Sequence, residues 1–150
     1  MIFDYEFRVR YAETDAMRVA HHAAYLVWFE AGRIEFLRAL GFDFNELEAA
    51  GYGQAVREVR LQYRRSVQFD QRLVLRIALV RASGPRLVFG YRLLDATERE
   101  ANQETATPVA LGLTEMVWVT PAGRPTRLPA RHPLAAALAG MERHPDWAEW

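Results

Sequence analysis

The sequence predicts an α+β domain in which an antiparallel sheet of about five strands wraps around one long helix. Apolar and charged side chains alternate between residues 2 and 11, which is typical of a strand with one buried face. Apolar side chains then recur at helical spacing from about residue 22 to residue 40. The stretches that follow read as successive strands, which favours an antiparallel sheet over alternating βαβ units. The 150 residues fit a single domain that spans 1–150.

The first strand and the long helix have the most regular patterns. The apolar face of the strand consists of Phe3, Tyr5, Phe7, Val9 and Tyr11. The helix is predicted from about His22 to Leu40, and Gly41 stands where a left-handed C-terminal cap would lie. Its buried stripe consists of Tyr25, Phe29, Gly32, Phe36 and Leu40, widened by Leu26 and Leu37. Its charges lie on the far side, where Glu30 and Arg33 have the spacing of a surface ion pair. Gly32 costs a helix about 1 kcal/mol relative to Ala, so we expect a strand to pass close to it.

The remaining elements are shorter. The patterns predict a short helix over 42–50, strands over 54–63, 71–81, 87–94 and 108–119, and a C-terminal helix over 132–141. Residues 97–107 are polar and predict a solvated connection. Strand 71–81 is apolar on one face and half apolar on the other, so we expect it to be central. Because one helix covers only one face of the sheet, we expect another subunit on the second face, and hence a homo-oligomer.

Composition excludes several classes of function. The 19 acidic residues balance the 19 basic ones, which argues against nucleic-acid binding. The absence of Cys rules out disulfides, thiolate catalysis and thiolate metal sites. No apolar run resembles a signal peptide or approaches the ~20 residues of a membrane span, so no membrane association and a cytoplasmic location are expected.

Asp15 lies in the loop before the long helix and is the first candidate for chemistry. An ordinary aspartate has a pKa of about 3.9, so it is ionised at neutral pH and can act as a nucleophile or as a base that activates water. The start of the helix offers unpaired N–H groups and partial positive charge, which suit an oxyanion. This combination suits acyl transfer. Spacing alone leaves a second reading open, in which Thr14 or Asp15 only caps the loop or the helix.

The histidine pair at the same junction also has more than one reading. His21 and His22 are adjacent and do not share a helix face, whereas metal-binding histidines on a helix usually sit at i and i+4. We therefore expect no metal. His22 can serve as an acid or base, as a residue that orients the substrate, or as a packed imidazole without chemistry.

The run YAETDAMRVAHHAAYLVWFEAGR resembles the signature of the 4-hydroxybenzoyl-CoA thioesterase-like branch of the hotdog-fold family, which includes the YbgC-type acyl-CoA thioesterases. In that signature, the aspartate is followed seven and ten positions later by a residue that is often His or Asn and by Tyr. Asp15, His22 and Tyr25 occupy these positions. The segments QYRRSVQFDQRLVL and ALGLTEMVWVTPAGRPTRLP extend the resemblance over most of the chain. The sequence departs from the family at Met17 and Arg18, where glycines are usual.

The resemblance implies a hotdog fold and an acyl-CoA thioesterase that releases a free acid and coenzyme A. It implies that Asp15 is the nucleophile or general base, that a backbone N–H near His22 polarises the thioester carbonyl, and that Tyr25 and the His22 side chain shape the pocket. It also implies that the enzyme needs no cofactor, since coenzyme A is part of the substrate. An acyl carrier protein in place of coenzyme A is left open.

The phosphates of coenzyme A suggest where the substrate binds. Arginine can pair with phosphate, and the turn after Tyr63, with Arg64, and the hairpin from Ser83 to Arg86 are the favoured positions. Members of this family commonly bind coenzyme A across a subunit interface, which implies a homodimer or homotetramer.

Two alternatives remain: a hotdog protein that binds acyl thioesters without turnover, and a hotdog enoyl-CoA hydratase or dehydratase that uses His22 and Glu30.

Overall fold

The computed structural model describes residues 1–102 and 106–150. Its strands are β1 (Ile2–Arg8), β2 (Gly53–Tyr63), β3 (Arg72–Ser83), β4 (Arg86–Asp95) and β5 (Ala110–Val119). Its helices are α1 (Ala24–Ala39), α2 (Phe44–Ala49), α3 (Ala96–Ala101) and α4 (Pro133–Gly140). The strands form one sheet in the order β1-β3-β4-β5-β2, and every neighbouring pair is antiparallel. The predicted antiparallel α+β architecture is confirmed, with β3 inside the sheet and β1 and β2 at its edges.

Helix α1 lies against the inner face of the sheet, and Gly32 allows the close approach. A Cβ atom at Gly32 would stand 2.6 Å from Cδ1 of Ile77 and 2.8 Å from Cδ2 of Leu75, both on β3. The predicted passage of a strand beside Gly32 is therefore confirmed. Beyond the helix, Gly41 has φ +86°, and the Phe42 N–H donates to the Leu37 carbonyl at 3.0 Å. These contacts form the predicted left-handed cap.

Three side chains near or on α1 do not lie where the periodicity placed them. Leu26, predicted to widen the buried stripe of the helix, is 41% exposed. Tyr11, predicted on the apolar face of the first strand, is 78% exposed because the strand ends at Arg8 and a 3₁₀ turn follows. Arg33, predicted on the charged outer side, is only 6% exposed. Its guanidinium points into the protein, so the predicted surface pair with Glu30 is wrong.

Residues 97–107, predicted to be a solvated connection, begin with a helix instead. Helix α3 starts at Ala96 because the Asp95 carboxylate accepts hydrogen bonds from the N–H groups of Thr97 at 2.9 Å and Glu98 at 3.0 Å. The part of the predicted connection at 103–105 lies outside the described residues.

The outer face of the sheet is partly covered by the chain's own C-terminus. Trp147 packs with an apolar group on this face that consists of Ala78, Val80, Val88 and Leu113. The Arg92 guanidinium lies over its ring, 4.3 Å from the centroid. Trp147 therefore covers part of the face that was expected to pack against another subunit. Edge strand β2 is more open than the outer face, and the homo-oligomer stays a prediction.

None of the helices in the described part of the chain combines the length and the apolar character needed to cross a bilayer.

Candidate active site

A cleft of about 330 Å³ opens where β2 ends and α1 begins. Its walls are formed by Asp15, Ala20, His22, Tyr25, Tyr63, Arg64, Arg65 and Ser66. Five of the seven predicted site residues therefore meet in one place, although they come from three separate segments of the chain. The other two, Ser83 and Arg86, lie elsewhere.

A tight turn positions the Asp15 carboxylate. The Asp15 N–H donates to the Val19 carbonyl at 2.9 Å, and the Arg18 N–H donates to the Asp15 carbonyl, also at 2.9 Å. Oδ1 of Asp15 accepts from the Met17 N–H at 2.8 Å. Arg18 has φ +63°, a left-handed conformation that glycine adopts without strain, so the turn forms although the chain has no glycine at this position. Oδ2 accepts no hydrogen bond from the residues that the structure describes, so this oxygen is available to a substrate or to water.

Glu13 anchors the same loop, a role that the sequence analysis missed. Its carboxylate accepts from the backbone N–H of Arg10 at 2.8 Å and from Nε and Nη2 of Arg10 at 2.9 and 2.7 Å. Burial opposes ionisation, but these hydrogen bonds outweigh it and lower the pKa of Glu13. The i,i+3 spacing of Arg10 and Glu13 was the available signal.

Two tyrosines form the wall opposite the loop. The rings of Tyr25 and Tyr63 meet edge to face at 4.9 Å between centroids, and the Tyr63 hydroxyl donates to the His22 carbonyl at 2.8 Å. Burial raises the pKa of both phenols, and the neighbouring Tyr63 adds to the effect at Tyr25. Both hydroxyls therefore stay protonated at neutral pH. That of Tyr25 makes no hydrogen bond within the described parts of the chain and is a donor available to the cleft.

The start of α1 supplies a backbone donor. The His21 side chain accepts from the Ala23 N–H at 3.1 Å, and its carbonyl accepts from the Ala24 N–H at 2.9 Å. The N–H of His22, which lies between His21 and Ala23 in the chain, finds no acceptor in 1–102 or 106–150. A free N–H at a helix start can stabilise an oxyanion.

The His22 side chain is exposed, and its ring lies 4.0 Å from that of His21. The described residues contain no group of three or more histidine, aspartate or glutamate side chains arranged to hold a metal ion. His22 thus remains a candidate for positioning or proton transfer in the cleft.

The two arginines at the rim differ in their partners. Arg65 donates to both carboxylate oxygens of Glu98 at 2.7 Å and to the Thr107 carbonyl at 2.8 Å. Arg64 donates only from Nε to the Gln62 side chain at 3.0 Å, and no described carboxylate pairs with it. Arg64 is therefore the better placed of the two to receive a phosphate.

Ser83 and Arg86 lie on the β3-β4 hairpin at the opposite end of the sheet. Arg86 pairs with Val117, and Val117 pairs with Ala55 on β2, which is eight residues from Tyr63. At about 3.3 Å per residue, the hairpin is roughly 26 Å from the cleft. Nε of Arg86 lies 3.5 Å from the buried Glu115 carboxylate. These residues do not line the cleft of their own chain.

Known proteins are similar to this chain in both sequence and fold. The model of the thioesterase-like superfamily matches residues 9–139. Acyl-CoA thioester hydrolase YbgC of Escherichia coli O6:H1 is 29% identical over 115 residues, which cover 77% of this chain and 86% of that protein. Acyl-CoA thioesterase YbgC of Haemophilus influenzae is 32% identical over 96 residues, or 63% of this chain and 71% of that protein. The crystal structure of a DHNA-CoA thioesterase from Staphylococcus aureus superposes with a TM-score of 0.80 at 25% identity and covers 92% of this chain and 88% of its own.

Proposed function

Because the chain belongs to the thioesterase-like superfamily, and is thus a thioester hydrolase with the hotdog fold, we propose that it cleaves acyl-CoA thioesters with Asp15 as the catalytic carboxylate. One observation carries the proposal: a carboxylate oxygen without an internal hydrogen bond shares a cleft with a free backbone N–H at the start of a helix. A thioester carbonyl needs these two groups, one to supply electrons and one to receive negative charge.

The Asp15 carboxylate can act by either of two routes. As a nucleophile, its oxygen bonds to the carbonyl carbon, the carbon–sulfur bond breaks, and the thiolate of coenzyme A takes a proton from solvent. Water then hydrolyses the mixed anhydride and restores Asp15. As a general base, Asp15 takes a proton from water, the hydroxide attacks the carbonyl carbon, and the proton passes to the departing thiolate.

The His22 N–H and the Tyr25 hydroxyl are the donors that would receive the carbonyl oxygen. Both lie on the helix side of the cleft, where the positive end of the α1 dipole adds to their effect. The His22 side chain would orient the substrate at the mouth of the cleft.

Arg64 would bind a phosphate of coenzyme A, and Tyr63 would pack against its pantetheine arm. Ser83 and Arg86 lie too far away to bind the same substrate molecule within one chain. If they bind substrate, it lies in the cleft of another protomer, which requires a homodimer or homotetramer. An edge strand as long and open as β2 favours such pairing.

Hydrolysis of a panel of acyl-CoA thioesters tests the proposal. Asp15→Asn should lower kcat by about 10²–10⁴-fold while acyl-CoA still binds. Asp70→Asn is the matched control, because Asp70 is an exposed carboxylate in a turn outside the cleft. Hydrolysis by Asp15→Asn at the wild-type rate would contradict the assignment.

The same panel separates the alternatives. A protein that only binds acyl thioesters would show affinity without turnover in the wild type. A hydratase would need His22 and Glu30 together, but Glu30 lines a separate pocket farther along α1. Enoyl-CoA hydration measured alongside hydrolysis tests that activity.

A single turnover in water labelled with heavy oxygen distinguishes the two routes for Asp15, since only the nucleophilic route transfers the label to its carboxylate.

A further inference from the structure

The Glu13 side chain is more deeply buried than a surface ion pair requires. It is 9% exposed, although the Arg10 side chain with which it pairs is 72% exposed. Accepting the Arg10 N–H is the ordinary role of a carboxylate in the first turn of a helix, and that role needs no burial. Because burying a carboxylate is costly, its position two residues before Asp15 indicates a function beyond capping a short 3₁₀ turn.

Glu13 lies at the base of a small hairpin, residues 13–21, which we call the Asp15 hairpin. Three successive pairings join its two arms: Glu13 with His21, Thr14 with Ala20, and Asp15 with Val19. In the first of these, the His21 N–H donates to the Glu13 carbonyl at 2.7 Å. The Asp15 carboxylate therefore projects from one arm of the hairpin, and the His22 N–H follows directly after the other arm.

The Glu13 carboxylate also connects this hairpin to two other elements. Its three hydrogen bonds from Arg10 attach it to the chain that leaves β1. Burial opposes ionisation of Glu13, whereas these bonds and the nearby Trp28 indole lower its pKa. The Trp28 indole N–H is buried and has no hydrogen bond of ordinary geometry to any described residue. The Trp28 ring packs against that of Tyr25 at 4.8 Å between centroids, so Glu13 lies beneath the helix turn that supplies Tyr25 to the cleft.

The proposed reaction depends on the relative position of the two groups that the Asp15 hairpin holds. The Asp15 carboxylate must approach the carbonyl carbon, directly or through water, while the His22 N–H faces the carbonyl oxygen. A displacement of about 1 Å between such groups can lower a rate about 100-fold. The groups proposed to bind coenzyme A, Tyr63 and Arg64, lie at the end of β2 instead. A disturbance at Glu13 should therefore misplace the reacting groups and leave substrate binding largely intact.

We propose that Glu13 is a positioning residue, whose buried carboxylate fixes the Asp15 hairpin so that Asp15 and the His22 N–H face the same thioester carbonyl. Glu13 does not line the cleft and acts through Asp15. This inference rests on the proposed acyl-CoA thioesterase activity.

Steady-state kinetics of wild type, Glu13→Ala, Glu13→Gln, Asp15→Asn and the double variant Glu13→Ala/Asp15→Asn tests the proposal. Glu13→Ala should lower kcat about 100-fold and change the KM for acyl-CoA less than about threefold. Glu13→Gln keeps one acceptor oxygen for the Arg10 N–H, so its kcat should fall less. In the Asp15→Asn background there is no carboxylate to position, and Glu13→Ala should lower the remaining rate by no more than about threefold.

Asp43→Ala is the matched control. The Asp43 carboxylate also accepts from backbone N–H groups, those of Asn45 at 2.7 Å and Glu46 at 3.3 Å, but it caps α2 and does not line the cleft. This variant should have a lower unfolding midpoint and a kcat within about twofold of the wild type. Because every assay is run well below the unfolding midpoints, a purely structural role of Glu13 would lower its midpoint in the same way without lowering kcat.

Hydrogen exchange of the Asp15 and His21 N–H groups measures the hairpin without reference to hydrolysis. Glu13→Ala should speed the exchange of both groups about tenfold or more, whereas Asp43→Ala should not. Glu13→Gln should speed it less, and this variant carries both tests if Glu13→Ala does not fold.

The outcomes separate this inference from the proposed function. Unchanged kcat or unchanged exchange in the Glu13 variants would overturn the positioning role and leave the thioesterase proposal intact. The same is true of a rise in KM without a fall in kcat, and of an equal fall in rate with and without the Asp15 carboxylate. Absence of acyl-CoA hydrolysis by the wild type would instead overturn the proposed function, and hydrogen exchange would then decide whether Glu13 fixes the hairpin.

Discussion

Replacing Arg64 with alanine should raise the KM for acyl-CoA about tenfold while kcat stays close to that of the wild type. The Arg64 side chain makes one hydrogen bond, to Gln62, and pairs with no described carboxylate, so most of its guanidinium is available to a ligand. A hydrogen bond between charged groups contributes about 1.5–3 kcal/mol, and the lower end applies at an exposed site. About 1.4 kcal/mol corresponds to tenfold in affinity. Because the phosphate is remote from the thioester, the loss should affect substrate and transition state equally and appear in KM.

Arg65→Ala is the matched control for this experiment. Arg65 is the next residue in the same turn, but its guanidinium is bound to Glu98 and Thr107. Its replacement should lower the free energy of unfolding by up to about 1 kcal/mol, the range for exposed ion pairs, and change KM little. Michaelis–Menten curves at low and high salt complete the assay, since screening should reduce the difference between wild type and Arg64→Ala. An equal rise in KM for both variants, or a fall in kcat alone for Arg64→Ala, would refute the reasoning.

Three further predictions concern stability and are checked by denaturant unfolding. Trp147→Ala should cost about 3–5 kcal/mol because it removes the aromatic cover of the outer sheet face, and light scattering should show increased self-association. Gly112→Ala should cost about 1–3 kcal/mol because the new Cβ would lie 2.2 Å from a ring carbon of Phe29, whereas an unchanged midpoint would mean that this ring moves freely. Glu13→Gln should lower stability near neutral pH by about 1–2 kcal/mol. Because the folded protein lowers the pKa of Glu13, its contribution is present above pH 4.5 and is lost as pH falls through the lowered pKa, so the two proteins should converge in acid. A stability difference between wild type and Glu13→Gln that does not change with pH would contradict the role of the Glu13 charge.

The parts of the fold that follow from local pattern were predictable. Residues 2–8 alternate because the strand has one buried face, and Gly32 is small because β3 passes within contact distance of it. The individual residues of the cleft were predictable because each lies in a recognisable local context. Asp15 lies in the turn before α1, and Tyr63 and Arg64 lie at the end of a strand. The family resemblance then related these separate segments to one site.

The placement of Ser83 and Arg86 depended on information that no local pattern contains. Both occupy a hairpin turn, as predicted, but the distance between that turn and the cleft follows from the strand order. The same limit applies to Trp147, because a tryptophan in a polar C-terminal segment has no period that reveals which face it covers. Strand order and the path of the C-terminus arise from long-range packing, which is decided by many weak contacts together.

Arg33 shows why polar residues inside a fold are hard to predict and why they point to function. Helical periodicity treats a charge as a sign of the solvent face, and the i,i+3 spacing from Glu30 strengthened that interpretation. The structure instead buries the guanidinium against the Tyr91 hydroxyl, whose other partner, Thr114, lies on a different strand. Burial of a charge is costly, and one neutral hydroxyl offsets only part of that cost. A buried charge departs from the pattern that stability alone would favour, and such departures are expected at functional or strained positions.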